Sequence, residues 1–372
     1  MRVLIAPDRF AGTLTAPEAA AAIAEGWARR APHDELDLAP MSDGGPGFVD
    51  VLHASLGGDL AAVTVRGPFA ADVPATLLVV GGTAYVESAQ ACGRHLTGPG
   101  GDPEEASSYG VGQLLLAARD AGATTVVLGL GGPGTTDGGA GLLAALGATA
   151  DRPLDRGCAG LAGVSEVDLG PARAAVEGLT LVAAGEADHP LTGLFGAAKT
   201  AGAENGLSEE RLPAVDGLLE EWAAATDRRT ALDKGAGAAG GIGFALLLLG
   251  ARREPGIALV AAHVDLAARA AAADLVLTGE GAFDFSSRSG TVPYGVAEVA
   301  AHALRPCVAL AGQVLVGSRE MRALGVESAY AMVDVVGEER SAADPPGALA
   351  DLAARVARTW SPPAPGAGRV GE

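Results

Sequence analysis

The chain has 372 residues, and 45 acidic against 26 basic side chains leave a formal net charge of −19. At 49% hydrophobic and 19% charged it has the composition of a folded protein, long enough for one large or two ordinary domains. So acidic a chain is ill suited to non-specific nucleic-acid binding or to docking on an anionic membrane surface; an anionic small molecule remains admissible where a local pocket or a bound cation opposes the global field.

In chain order, Val3 to Ala6 reads as a first strand. The loop Pro7 to Gly12 follows it, and Thr15-Ala16-Pro17-Glu18 has the form of a capping box with proline in the first turn of a helix. Leu36 to Leu38 is a short second strand that leads into the glycine turn Ser42-Asp43-Gly44-Gly45. Residues 61 to 88 contain short apolar runs broken by Gly-Pro, Ala-Asp and Gly-Gly, the texture of an antiparallel meander. A helix from Val111 to Asp120 and a strand from Thr125 to Leu130 restore a parallel-sheet rhythm. Further strands are expected at Leu181 to Ala184, Leu275 to Thr278 and Val308 to Leu310. Helices are expected from Gly241 to Leu249 and from about Ala348 to Trp360.

This alternation predicts an α/β fold of two domains. A Rossmann-like parallel-sheet domain is expected over 1–60 and 235–372, with a second, mixed α/β domain, 61–234, inserted in it. The Pro- and Gly-rich tail, 361–372, is expected to be disordered. The three cysteines are far apart and odd in number, which predicts neither a disulfide framework nor a ligand pair at metal spacing. No apolar run approaches the roughly 18 residues of a membrane span. No basic segment precedes an apolar signal core, so a cytoplasmic protein is expected.

Four loops pair an acid with glycine beside an expected strand end. They are Pro7-Asp8, Ser42 to Gly45, Thr135-Thr136-Asp137-Gly138-Gly139, and Gly279-Glu280-Gly281-Ala282-Phe283-Asp284. Ligands of open α/β sheets lie outside the carboxyl ends of the strands, where carboxylates would hold Mg²⁺, orient a hydroxyl or accept its proton. Asp and Gly also make ordinary turns and caps, which is the competing reading of each loop taken singly. Gly129-Leu130-Gly131-Gly132-Pro133-Gly134 lies between a strand and a helix, a setting in which backbone N–H groups cradle phosphate. Gly235 to Gly240 matches a dinucleotide-binding pattern literally, but the polar Thr230 to Lys234 before it is no strand, so a phosphate-cradling or close-packing loop is the better reading. Neither lysine follows a glycine, which excludes a P-loop, and no G-x-S-x-G occurs. Of six histidines only His189 falls in a site-like loop.

Taken together, these loops resemble the bacterial glycerate kinase family, a two-domain α/β type separate from P-loop and protein kinases. Ala6 to Leu14 is similar to the family's APDSFKGSL, Pro40 to Gly47 to PVADGGEG, and Gly129 to Gly141 to GLGGSATNDGGAG. Gly235 to Gly243 resembles GAGAAGGLG, and Thr278 to Asp284 with Gly290 to Pro293 resembles TGEGRLD and GKVP. The resemblance implies transfer of the ATP γ-phosphoryl group to a hydroxyl of D-glycerate or a related small hydroxy acid, with Mg²⁺. In that reading Asp8, Asp43, Asp137 and Asp284 are the catalytic carboxylates, and Glu280 and Asp284 are the metal ligands. Gly44, Gly45, Gly131, Gly132, Gly237, Gly240, Arg9, Arg288 and His189 bind substrate or phosphate. The partner is a small molecule, with no nucleic acid and no membrane; a homo-oligomer is compatible with it.

The departures from the family pattern remove charge. Lysines of three family motifs become Ala11, Asn205 and Thr291 here; the glutamate of DGGEG becomes Pro46, the arginine of GEGRLD Ala282, and the asparagine of ATNDGG Thr136. Only Lys199 and Lys234 are lysine in the whole chain, yet none of the three lost positions is arginine. Either Arg9, Lys199 and Arg288 supply the missing cations, or the chain is a catalytically silent homologue that binds a small organic acid as a sensor or partner subunit. A third reading is a kinase for another acceptor, with Pro46, Phe48, Phe283 and Phe285 reshaping the pocket.

Overall fold

The computed structural model describes residues 1–10, 12–98, 100–284 and 290–362. Two compact units emerge, one of residues 1–42 with 257–372 and the other of residues 43–256. The boundaries therefore fall at 42/43 and 256/257 rather than near 60 and 234. The reason is packing. Helix α2 (Phe48–Leu56) lies on the inserted sheet, and a short strand, Arg252–Glu254, extends that sheet by pairing with Thr180–Ala184. Ala11, Phe285, Arg288 and tail residues 363–372 lie outside the described residues.

The first unit begins with β1 (Arg2–Ile5), α1 (Ala16–Arg30) and β2 (Glu35–Leu38). Thr15 and Glu18 form the expected reciprocal cap: the Glu18 N–H donates to Thr15 Oγ1 at 3.3 Å, and Glu18 Oε2 accepts from the Thr15 N–H at 2.9 Å. Such a cap contributes about 1 kcal/mol and fixes where α1 starts.

The inserted unit follows with α2, β3 (Asp59–Arg66), β4 (Asp72–Val80), β5 (Thr83–Glu87), α3 (Tyr109–Asp120) and β6 (Thr125–Gly129). Then come α4 (Ala140–Ala145), β7 (Thr180–Ala184), α5 (Leu212–Ala225), α6 (Ala238–Leu248) and β8 (Arg252–Glu254). Strand order is β8-β7-β6-β5-β4-β3. The first four strands run parallel, while β4 pairs antiparallel with both β5 and β3, so the expected meander is the edge of a mixed sheet. Val126 to Leu128 and Leu181 to Ala184 are buried, as a parallel sheet covered on both faces requires. Trp222 and Phe244, both fully buried, anchor this core.

The chain returns to the first unit with β9 (Leu275–Thr278), β10 (Ala282–Phe283), α7 (Val292–His302) and β11 (Cys307–Ala311). It closes with β12 (Gln313–Val314), β13 (Ser328–Ala331), α8 (Met332–Val336) and α9 (Pro345–Trp360). The order β13-β11-β9-β1-β2 is parallel throughout, the Rossmann-like arrangement expected. Its core joins Ile23 and Trp27 of α1 to Leu349 and Leu352 of α9. No helix among the described residues is long and apolar enough to cross a membrane.

Candidate active site

In the inserted unit, the glycine loop 129–134 leaves the carboxyl end of β6, and the 43–45 turn precedes α2. The turn at Asp43 is an Asx turn: its Oδ1 accepts from the Gly45 N–H at 2.8 Å. Gly44 has φ +94°, and a side chain there would meet the Ala184 carbonyl, while a side chain at Gly131 would strike Gly45. These glycines let the 43–45 turn lie against the 129–131 backbone. The amides of Gly131 and Gly132 meet no acceptor among the described residues, and both residues are partly exposed. Two amides with no acceptor among the described residues, placed after a strand in a loop held by close packing, are donors of the kind that can cradle an anion. Pro46 lies against Gly132, in the position where the family motif has glutamate.

Asp137 departs from its expected catalytic role. It is fully buried, and the chain itself occupies both of its oxygens. Oδ2 accepts from the Ser108 N–H (2.7 Å), Ser108 Oγ (2.8 Å) and Gly141 N–H (3.2 Å), and Oδ1 from the Gly139 N–H (2.9 Å). Burial raises its pKa, and the four donors oppose the rise. Asp137 ties the amino ends of α3 and α4 together and presents no oxygen to a ligand.

The 235–241 segment is also a packing device. A side chain at Gly240 (φ +66°) would collide with the Thr135 carbonyl, and one at Gly241 (φ +97°) with Gly138. Ala239, Gly240 and Gly241 are all left-handed, so regular α6 geometry begins only beyond Gly241, where the helix was expected to start. Gly237 abuts the His189 ring. His189 Nδ1 lies 3.2 Å from the Pro190 carbonyl and Nε2 lies 3.3 Å from Thr200 Oγ1, so both ring nitrogens brace the loop. The chain's two lysines flank this histidine: Lys234 Nζ is 3.6 Å from Asp188 Oδ2, and Lys199 is exposed on the π-helical turn Ala198–Gly202 that carries Thr200. Asn205 donates its Nδ2 to the Thr135 carbonyl (3.1 Å) and to Thr136 Oγ1 (3.4 Å), while its buried Oδ1 finds no partner among the described residues.

Sequence reasoning missed Glu87. It ends β5 level with Gly129 and accepts from the Gly47 N–H at 3.0 Å and from the Val49 N–H. In effect it caps α2, whose N-cap glycine has no side chain. Burial, helped by the charge of Asp50, pushes its pKa up to about 7. The only sequence signal is a lone acid closing an apolar strand run, which does not tell a buried acid from a turn residue.

In the first unit, parallel pairing sets the carboxyl ends of β1 and β9 side by side. The Asp8 N–H donates to the Gly279 carbonyl (2.9 Å), and Thr278 Oγ1 to the Ala6 carbonyl (3.0 Å). Asp8 Oδ1 accepts from the Arg9 N–H at 2.7 Å; the Arg9 guanidinium meets no carboxylate among the described residues. Glu280 and Asp284 follow on the loop around β10, which pairs with β12. Among the described residues there is no cluster of three or more His, Cys, Asp or Glu placed to hold a metal. Asp8, Glu280 and Asp284 are nevertheless oxygen donors of the kind Mg²⁺ takes when one or two carboxylates share it with substrate phosphates. The cysteines are structural: burial lifts the thiols of Cys158 and Cys307 to about 12 and that of Cys92 further.

The family model described as the glycerate kinase family matches residues 3–361. The glycerate kinase of Halalkalibacterium halodurans is 33% identical, with 96% of this chain and 98% of that protein covered. The glycerate 2-kinase of Escherichia coli K12 is 32% identical over 91% and 92% of the two chains. An uncharacterized protein of Mycobacterium tuberculosis is 40% identical over 96% and 91%. A crystal structure assigned to glycerate kinase 2 of Salmonella typhimurium LT2 superposes with a TM-score of 0.78 at 32% identity, covering 96% and 98%. The chain belongs to the glycerate kinase family.

Proposed function

We propose that the protein transfers the γ-phosphoryl group of ATP to a hydroxyl of D-glycerate or a closely related small hydroxy acid. The observation that carries this reading is the loop at Gly131 and Gly132, whose two amides meet no acceptor among the described residues at a strand end, with the Asp43 turn packed against it. Phosphoryl transfer asks little covalent work of a protein; it needs oriented donors, cations and an aligned hydroxyl. In this reading the cradle amides bind phosphate oxygens and Asp43 orients the acceptor hydroxyl or takes its proton. Asp8, Glu280 and Asp284 would hold Mg²⁺, which when bound neutralises charge on the phosphates. Lys199 and Lys234, beside the His189 loop, and Arg9, beside Asp8, are cations that could oppose the negative charge of the substrates in this reading. A coupled ADP-release assay with D-glycerate and Mg-ATP tests the proposal: turnover that vanishes in both Asp43→Asn and Asp284→Asn supports it, and no turnover, with no thermal shift from Mg-ATP, overturns it.

Asn205 favours a second reading. The position where the family motif has lysine makes only neutral hydrogen bonds to Thr135 and Thr136. A silent homologue that retains the acid pocket would bind D-glycerate with an unchanged melting response to Mg-ATP and no ADP release.

A further inference from the structure

Between α1 and α9 runs a groove of about 390 Å³ lined by four arginines and a single carboxylate, in a chain of net charge −19. Arg29 and Arg30 come from the last turn of α1; Arg355 and Arg358, three residues apart, share one face of α9. Val335 of α8 and Ala354 complete the walls. The two helices are locked close, because a side chain at Gly26 would run into the Ala350 carbonyl.

The one acid is already spent. Asp351 bridges Arg29 at 3.1 Å and Arg340 at 2.7 Å. Arg30, Arg355 and Arg358 have no carboxylate partner among the described residues. Favourable placement at helix carboxyl ends accounts for Arg29, Arg30 and Arg358 taken singly. It accounts neither for Arg355 nor for two helices turning their arginines onto one groove, where like charges repel unless an anion sits between them. Arginine forks match phosphate oxygens two at a time, and the volume falls within the range of small-ligand sites. The groove is at the far end of the 15-residue α1 from the loop carrying Asp8, about 22 Å along the helix, so it is not part of that loop's chemistry.

We propose that this groove binds a small, multiply charged phosphate, with adjacent phosphate groups spanning Arg30, Arg355 and Arg358. Calorimetric titration of the full chain with inorganic pyrophosphate tests it, with ATP as a second arm and sodium sulfate at equal ionic strength as the control. A pyrophosphate site is expected that weakens about tenfold or more in the Arg355→Ala/Arg358→Ala double variant and again in 200 mM salt, apart from any binding at the 131–132 loop, which that variant leaves intact. Taking only the binding lost in the double variant, tighter binding of pyrophosphate than of ATP identifies a free inorganic chain as the ligand; the reverse identifies a nucleotide tail. Alanine keeps helix propensity at these exposed positions, and Arg30→Gln gives an independent loss. Three results overturn the proposal: no pyrophosphate binding, binding equally tight in the double variant, or heats reproduced by sulfate.

Discussion

Replacing Glu87 by glutamine should uncouple the stability of the inserted unit from pH. The carboxyl is 5% exposed, and burial raises its pKa from 4.5 to about 7. A folded-state value above the unfolded one means that the folded protein holds the proton more tightly. The stabilisation is therefore complete below about pH 4.5 and is lost as pH rises through 7. That rise corresponds to about 3 kcal/mol in all, most of which disappears between pH 5 and pH 8. Glutamine mimics the protonated acid, since its carbonyl can still accept from Gly47 and Val49. Native-state hydrogen exchange of the β6 amides, corrected for intrinsic rate at each pH, reports the opening free energy of this unit. Glu87→Gln should gain about 2–3 kcal/mol over the parent protein on going from pH 5 to pH 8. A difference that stays flat with pH would refute the assignment of a near-neutral titration to Glu87.

Asp137→Ala strips the acceptor from four buried donors and should cost about 3–5 kcal/mol, read as a large fall in melting temperature or loss of soluble protein; a cost below about 1 kcal/mol would mean that the carboxylate does not tie α3 to α4. Gly240→Ala adds a side chain at φ +66° against the Thr135 carbonyl and should cost more than about 2 kcal/mol by urea unfolding, whereas Gly217→Ala, which meets nothing, should be neutral or stabilising. Asn205→Lys restores a cation beside Thr135, and kcat/KM for the phosphoryl transfer should rise by about tenfold; an unchanged value would show that the loss of this lysine does not limit the reaction.

Much of the fold was legible because its signals are local. The capping box at Thr15, the apolar runs of β6, β7, β9 and β11, and the broken runs of the meander each depend on residues close in sequence. The domain boundaries were not, because α2 and β8 join the inserted unit through contacts with β4, β5 and β7, far away along the chain. At the site, the loops were legible and the roles of their members were not. Asp43 and Asp137 look alike in sequence, each an aspartate before two glycines. Only the fold shows that Asp137 is buried under four donors of its own chain while Asp43 accepts a single hydrogen bond within its turn and stays partly exposed. The glycines divide in the same way: Gly131 and Gly132 keep amides with no acceptor among the described residues, whereas Gly237 and Gly240 let the chain pack closely.

Phosphoryl transfer to glycerate is read out by ³¹P NMR of the purified protein with D-glycerate and Mg-ATP. A new phosphomonoester resonance is expected that grows in step with ADP and is absent in Asp43→Asn. Undiminished ATP after complete mixing, with D-glycerate still bound, would contradict it.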